Sequence, residues 1–276
     1  MFNNISRFLF YKILKKGDKK NELENLFVDR FENRSKITWN YYSKIFREKE
    51  FSPFFVLATP RTGSTILVDY LNNTENIGCM HEVLNARTAI GIPRESSKRK
   101  ALAHIKYTIN NIKGSIRGVK FFSEQLQFFG IEIEDIQKIF PDAKYIVIYR
   151  KSLIEQYVSL MLAQETGKWI NEPYNEKIII RPDDYKEFCL TTQKAYSRFF
   201  NCPIIRARSI VMAYEDILID AQHEFDTKIF PFLGEKKCII RTKFKKQNTK
   251  KIDEVIENYE DVVDVIKNKI SRQLWA

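Results

Sequence analysis

The sequence 54-FFVLATPRTGST-65 decides the fold. Its first five residues form a continuous apolar run, which is typical of a strand buried on both faces of a parallel sheet. The remaining residues form a glycine-containing turn, and apolar side chains then recur at helical spacing at positions 66, 67, 70 and 71. The stretch therefore predicts a strand, a loop and a helix in immediate succession.

The same alternation continues along the chain. Further strands are predicted at residues 118–122, 144–149 and 209–214, and helices at about 152–167, 183–200 and 217–233, the last ending at Gly234. Strands that alternate with helices favour an α/β fold, with a P-loop-like, mostly parallel sheet and helices on both faces. Because ligands of such sheets bind at the carboxyl ends of the strands, the loops after Ala58 and Tyr149 lie at the expected functional edge.

The composition is that of a folded, basic protein. The 276 residues include 46 Lys and Arg against 35 Asp and Glu, so the formal net charge is +11. Such a surface attracts anions, among them nucleotides, sulfated or phosphorylated sugars, nucleic acid and acidic lipid. The basic residues are spread along the chain, however, so a nucleic-acid partner is not expected. We expect one domain at residues 51–276, preceded by a helical, basic N-terminal lead-in at residues 1–50.

Cysteine and hydropathy patterns indicate a cytoplasmic protein without a metal site. The four cysteines form no CxxC pair and no zinc-like cluster with histidine, so reduced thiols are expected. No run of about 18 apolar residues predicts a transmembrane helix. Residues 1–20 mix apolar and basic side chains. They are interpreted either as a helix that packs on the domain or as an amphipathic helix in peripheral contact with an anionic membrane.

The loop at residues 59–65 has the chemistry of an anion site. Backbone N–H groups at a helix N-terminus and the helix dipole attract phosphate or sulfate, and Arg61, Ser64 and Thr65 add a charge and two hydroxyls. A nucleoside-triphosphate loop needs two glycines and a Lys before its Ser or Thr. Here only Gly63 is present, with no such Lys, so a P-loop kinase is the weaker alternative. A helix cap would explain a single hydroxyl but not the whole block.

Residues 59–65 resemble the 5′-phosphosulfate-binding loop of sulfotransferases that use 3′-phosphoadenosine 5′-phosphosulfate (PAPS). The resemblance implies a sulfotransferase fold, PAPS as the co-substrate and no metal. It also implies that Arg61 contacts the transferring group. The cradle for that group would comprise Thr62, Gly63, Ser64 and Thr65.

A second part of the resemblance is an Arg and a Ser that grip the 3′-phosphate in these enzymes. Arg150 follows a predicted strand and Ser159 lies two helical turns beyond it, on the same side if the helix begins near Ser152. A forked cation and a hydroxyl suit a dianionic phosphate. Arg150 and Lys151 both have a spacing from Ser159 that the superfamily uses. We expect Arg150 to be the main contact and Lys151 a second one.

Two longer segments, residues 150–169 and 245–259, resemble a narrower group, the bacterial carbohydrate sulfotransferases of the nodulation-factor and trehalose sulfotransferase type. The resemblance spans roughly residues 53–268 and implies a carbohydrate or glycolipid acceptor. Lys245 and Gln247 are interpreted either as contacts to the 3′-phosphate end of the nucleotide or as part of a basic surface turn. The oligomeric state and the acceptor itself are not predicted.

The base that removes the acceptor proton is expected shortly after the first helix. Glu82 aligns with the catalytic Glu of the resembling enzymes, and His81 competes with it because an unperturbed imidazole titrates near neutral pH. The alternative is that Glu82 has no catalytic role and forms a salt bridge with a surface Lys. Lys120, at a predicted strand end, is open to interpretation as a site residue or a surface residue. A non-catalytic basic module that binds acidic glycan or nucleic acid is the remaining alternative to an enzyme.

Overall fold

The computed structural model describes residues 50–170, 172–244, 247 and 250–267. The predicted lead-in at residues 1–50 lies outside this part except for Glu50, and Lys245 also lies outside it. Within the described residues, no helix is long and apolar enough to cross a membrane.

The core of the fold is a five-stranded parallel sheet in the order β2-β3-β1-β4-β5. This confirms the predicted α/β class with a parallel sheet. All the carboxyl ends share one edge, so the loops that follow the strands meet there. The strands are β1 (Ser52–Ala58), β2 (Ile77–Met80), β3 (Ile116–Phe122), β4 (Lys144–Tyr149) and β5 (Ser209–Ala213).

Helices connect the strands and cover both faces of the sheet. They are α1 (Ser64–Asn72), α2 (Lys98–Asn111), α3 (Ser123–Phe128), α4 (Ile133–Ile139), α5 (Leu153–Thr166), α6 (Pro182–Asn201), α7 (Pro203–Arg208), α8 (Tyr214–Glu224), α9 (Phe230–Leu233), α10 (Ile252–Val255) and α11 (Tyr259–Lys267).

Strand β1 shows why two apolar layers form. Its last five residues are fully buried, and successive side chains point to opposite faces. Phe55 and Leu57 pack against α2, α3, α4, α6 and α7 on one face. Phe54 and Val56 pack against α1, α8 and α9 on the other. Residues buried on both sides give the continuous apolar run seen in the sequence.

A third apolar cluster lies beside the sheet, around α5. Ile178 and Ile180 are buried there with the N-terminal part of α6, α10 and α11. Ile178 also forms a parallel bridge with Ile256. The segment before α6 is therefore anchored to the domain at these positions.

The helix predicted at residues 217–233 is wrong in one respect, because the segment is not one regular helix. Helix α8 contains a non-helical residue, Asp220, with φ −152° and ψ 88°, and a π-helix at Phe225–Ile229 separates it from α9. Pro231 has no N–H to donate to the preceding turn, so a regular α-helix cannot run through it unchanged. The segment does end at Gly234, whose φ is 81°.

Candidate functional site

The loop between β1 and α1 makes a tight turn at the carboxyl edge of the sheet. Arg61 and Gly63 both have left-handed backbones, with φ of 66° and 75°. The buried Thr62 hydroxyl donates to the Thr59 carbonyl at 2.8 Å and closes the turn. A Cβ on Gly63 would lie 2.0 Å from the Tyr214 ring. The turn thus directs the first N–H groups of α1, which have no acceptor within the helix, toward this edge.

Buried polar side chains hold the loop from below. Gln156 of α5 donates to the Thr59 hydroxyl at 2.9 Å and to the Pro60 carbonyl at 2.7 Å. Tyr196 of α6 donates to the Ile148 carbonyl at 2.8 Å, and its oxygen lies 3.2 Å from the Thr59 hydroxyl. These bonds tie the loop to β4 and to two helices. Hydrogen bonds to neighbouring elements therefore fix the position of the loop.

The structure brings Arg61 together with residues predicted from two other segments. Its Nε donates to Ser159 Oγ at 2.9 Å, and one terminal nitrogen donates to Gln247 Oε1 at 2.7 Å. It also donates to the Tyr174 hydroxyl at 3.2 Å and to the Trp169 carbonyl at 2.8 Å. The guanidinium that was expected at the transferring group thus lies with the residues that were expected at the 3′-phosphate.

Arg150 and Lys151 point to different surroundings. Arg150 is 6% exposed, and it donates to the Arg61 carbonyl at 3.4 Å and to Glu155 at 2.6 Å. Its Nε lies 3.8 Å from Glu215 and makes no hydrogen bond to a described residue. The half-exposed Lys151 bonds Asp216. Arg150 therefore faces the loop, while Lys151 is held by a carboxylate of α8.

Ser159 faces the loop because of where α5 begins. Ser152 caps this helix by accepting from the Glu155 N–H at 3.3 Å, so the first helical residue is Leu153. Ser159 then lies on the inner side of the helix and is 8% exposed. Arg150 and Ser159 were expected from the sequence to lie on the same side if the helix began near Ser152, and the helix does begin there.

A second cluster lies beside the loop and joins Lys120 to Glu82. Lys120, fully buried near the end of β3, donates to Glu82 Oε1 at 2.9 Å and lies 3.4 Å from Thr65 Oγ1. Glu82 Oε2 accepts from Asn85 at 2.8 Å and from Gln125 at 3.2 Å. Lys120 is fully buried, so the interpretation as a surface residue is wrong, and its role as a site residue stays a prediction. The signal was a Lys among the apolar residues of the strand predicted at 118–122, since a buried cation needs a partner.

The electrostatics of this cluster differ for its two candidate bases. Burial raises the pKa of Glu82, but the charge of Lys120 and the bonds from Lys120, Asn85 and Gln125 outweigh it and hold the pKa below its usual value. Burial and the Lys120 charge lower the pKa of His81 to about 4, although Glu82 opposes this. Near pH 7 Glu82 is therefore ionised and His81 is uncharged.

The residues of the site suit anions. Arg61, Lys120 and Arg150 lie around the loop and the N-terminus of α1, with the hydroxyls of Thr65 and Ser159 between them. Among the described residues, no group of three or more His, Cys, Asp or Glu side chains is placed to hold a metal ion. Sequence reasoning did not identify Asn85, Gln125 or Tyr174 as part of this site. The sequence around each of these three residues contains no motif that predicts a place in the site.

Comparison with solved structures finds sulfotransferases. The chain is similar to a sulfotransferase from Alicyclobacillus acidocaldarius, with 13% identity and a TM-score of 0.50, over 82% of this chain and 98% of that one. Sulfotransferase STF1 from Mycobacterium tuberculosis has 13% identity and a TM-score of 0.47, over 73% and 72% of the two chains. STF9 from Mycobacterium avium has 14% identity and a TM-score of 0.47, over 70% and 66%.

No protein-family model matches the chain, and no curated protein matches it significantly. The likeness to the Alicyclobacillus enzyme shows that the described sheet and its helices have the fold seen in a sulfotransferase.

Proposed function

We propose that this chain is a PAPS-dependent sulfotransferase that acts on a hydroxyl group of a carbohydrate or glycolipid. The observation that carries the proposal is the meeting of two separate motifs at one edge of the sheet. Arg150 donates to the Arg61 carbonyl in the loop, and Arg61 donates to Ser159. Arg61 is 89 positions from Arg150 and 98 from Ser159 in the sequence. Their convergence around a helix N-terminus is expected of a site for a ligand with two anionic ends.

The donor set fits the two ends of PAPS. The first-turn N–H groups of α1, the Thr65 hydroxyl and Lys120 form one group of donors, which suits the sulfuryl end. Arg150, Ser159 and Gln247 form another, which suits the 3′-phosphate, and Arg61, the proposed contact of the transferring group, donates to Ser159 and Gln247. The buried Arg150 Nε, which lacks a hydrogen bond among the described residues, has capacity for such a ligand. Lys151 and Lys245 complete the set proposed from the resemblance.

In this mechanism PAPS supplies the sulfuryl group. The loop positions that group at the N-terminus of α1, where N–H groups and the helix dipole attract its oxygens. Lys120 adds a fixed positive charge beside Thr65, at 3.4 Å from its hydroxyl. Glu82, bonded to Lys120, is the proposed base for the acceptor hydroxyl, with His81 as the competing candidate. The cations of the chain thus carry the charge stabilisation that the transferring oxygens require.

The acceptor class rests on the resemblance of residues 150–169 and 245–259 to bacterial carbohydrate sulfotransferases. One segment near the site, which contains Tyr174, is a candidate to contact the acceptor. Tyr174 precedes α6 and is buried, and it donates to the Lys168 carbonyl while its hydroxyl contacts Arg61. This segment therefore lies over the arginine at the site. Segments of this kind determine substrate choice in many enzymes, because they vary while the sheet is retained.

The nucleotide site is tested by calorimetry with adenosine 3′,5′-bisphosphate. We expect micromolar binding to the wild type and a loss of about 10- to 100-fold in Arg150→Ala, because a hydrogen bond to a charged group contributes about 1.5–3 kcal/mol. Lys151→Ala is the neighbouring control and should lose less, since Lys151 is paired with Asp216. Thermal unfolding of both variants checks whether the ion pairs of Arg150 with Glu155 and Glu215 are needed for folding.

An acceptor screen with labelled PAPS follows if the nucleotide binds. Transfer of label to a sugar or glycolipid hydroxyl supports the acceptor class. Absence of nucleotide binding in the folded wild type contradicts the proposal. Saturable binding of ATP with magnesium in its place would favour a P-loop kinase, whereas salt-sensitive binding of acidic glycan or polynucleotide would favour a basic binding module.

A further inference from the structure

Trp169 and Ile170 are large apolar residues that are exposed beside the site. Their side chains are 43% and 48% exposed, and they lie just after the end of α5. The carbonyl of Trp169 accepts a hydrogen bond from the Arg61 guanidinium at 2.8 Å. The proposed chemistry gives neither apolar side chain a role. An exposed indole next to a cation of the site is available to contact a ligand.

The backbone that carries these two side chains is fixed by hydrogen bonds. Three successive carbonyl groups, those of residues 168–170, each accept a bond. Their donors are, in order, the Tyr174 hydroxyl at 2.7 Å, the Arg61 guanidinium at 2.8 Å and the Glu172 N–H at 2.9 Å. The chain therefore holds two apolar side chains in solvent on a fixed backbone. This arrangement forgoes the free energy of burying them unless a ligand covers them.

Arg61 connects this segment to the anion-binding groups. Arg150 donates to the backbone carbonyl of Arg61, whereas the tip of the Arg61 side chain donates to Trp169. In sulfuryl transfer the acceptor oxygen attacks sulfur from the side opposite the leaving 5′-phosphate oxygen. The acceptor must therefore be held by residues outside the donor set of the nucleotide. Trp169 and Ile170 are outside that set and adjoin it through Arg61.

We propose that the Trp169 indole is a platform on which a sugar ring of the acceptor stacks, with Ile170 beside it. The inference rests on the proposed sulfotransferase function and assigns a specificity-determining residue to its acceptor side. One face of a pyranose ring presents C–H groups, which pack on the electron-rich face of an indole. The hydroxyls of the ring remain at its rim, where the indole N–H can donate to one of them.

The surroundings of Trp169 suit a sugar better than a purely apolar partner. Polar side chains belong to the same segment. Lys168 pairs with Glu176 at 3.1 Å, and Glu172 and Asn175 are exposed. Ammonium, carboxylate and amide groups can bond the hydroxyls around a sugar ring. A hydrocarbon chain would offer these groups no partner, and covering them would cost free energy.

The stacking can be observed through tryptophan fluorescence of the full-length protein. The chain has three tryptophans, so Trp39→Phe combined with Trp275→Phe leaves Trp169 as the sole emitter. Acrylamide, a neutral quencher, then reports how accessible the indole is. The probes are a panel of mono- and disaccharides, added to protein saturated with adenosine 3′,5′-bisphosphate. We expect at least one saccharide to lower the quenching by about half, because a stacked ring covers one face of the indole, and the nucleotide alone to have little effect.

Kinetics with an acceptor from the screen provide a second measurement. Trp169→Ala should raise the KM for the acceptor about 10-fold, the scale of one stacked aromatic ring, and leave the affinity for adenosine 3′,5′-bisphosphate unchanged. The substitution retains the backbone carbonyl that accepts from Arg61. Trp169→Phe should recover most of the loss, since Phe keeps an aromatic face. Phe128→Ala, which removes an exposed ring at the end of α3, is the matched control and should be close to wild type.

The outcomes separate this inference from the proposed function. Failure of adenosine 3′,5′-bisphosphate to bind contradicts the function, whatever the fluorescence shows. If the nucleotide binds and protects the indole by itself, its base stacks on Trp169 and the inference is overturned. It is also overturned if no saccharide protects the indole of protein that binds the nucleotide, or if Trp169→Ala leaves the KM for the acceptor unchanged.

Discussion

Single residues of the site differ in how far the sequence specifies their role. The block at residues 59–65 carries its own signal, because a glycine and hydroxyls between an apolar strand and a helix have few other uses. Lys120 is different, because its role depends on the bond to Glu82, and Glu82 follows a different strand, β2. Gln125 is harder still, because its bond to Glu82 depends on the parallel pairing of β2 with β3.

At this scale we predict that Glu82→Gln lowers sulfuryl transfer by about 10²- to 10⁴-fold, the usual effect of losing a positioned base. Gln keeps the size of the side chain and removes its ability to take a proton. The measurement is turnover of labelled PAPS with an acceptor from the screen, at saturating nucleotide. Glu75→Gln, an exposed carboxyl before β2, is the control and should be close to wild type. A Glu82→Gln enzyme within a few-fold of wild type would assign the role to His81.

Elements were predicted best where the local pattern and the burial agree. The strand at residues 144–149 has the predicted bounds, and those at 118–122 and 209–214 differ by one or two residues at an end. Strand β2 was not predicted, because four residues with Gly78 among them carry almost no alternation. The π-helix was not predicted either, since its deviation follows from packing of Phe225 and Ile229 in the core around the break at Asp220.

The junction of β1 and α1 gives a prediction at the element scale. Gly63→Ala should lower the free energy of unfolding by about 2–4 kcal/mol, from left-handed backbone strain and the clash of the new Cβ with Tyr214. Gly130→Ala is the matched control, because Gly130 has a φ of 61° but nothing within 4 Å of an added Cβ. Urea unfolding measures both. Equal destabilisation of the two variants would show that the contact with Tyr214 does not constrain the loop.

For the whole molecule, the α/β class and the parallel sheet could be predicted from the sequence, but the strand order could not. The alternation of strands and helices is local, whereas the order β2-β3-β1-β4-β5 depends on which apolar faces pack together. The same applies to the site. Arg61 was expected at the transferring group, and its contacts with Ser159 and Gln247 depend on where the tertiary fold places α5 and Gln247.

The overall charge gives the last prediction. Residues 1–20 contain six Lys or Arg and one Asp, with apolar residues between them, and they belong to a chain of net charge +11. If this stretch lies on an anionic membrane, the protein should co-sediment with vesicles rich in acidic lipid, and the bound fraction should fall as salt rises from 50 to 300 mM, since salt screens charges.

Deleting residues 1–20 should remove most of the binding, while adenosine 3′,5′-bisphosphate affinity stays the same because the site lies within residues 59–247. Undiminished vesicle binding after the deletion would assign the attraction to exposed Lys and Arg residues of the folded domain instead, since Lys120 and Arg150 are buried.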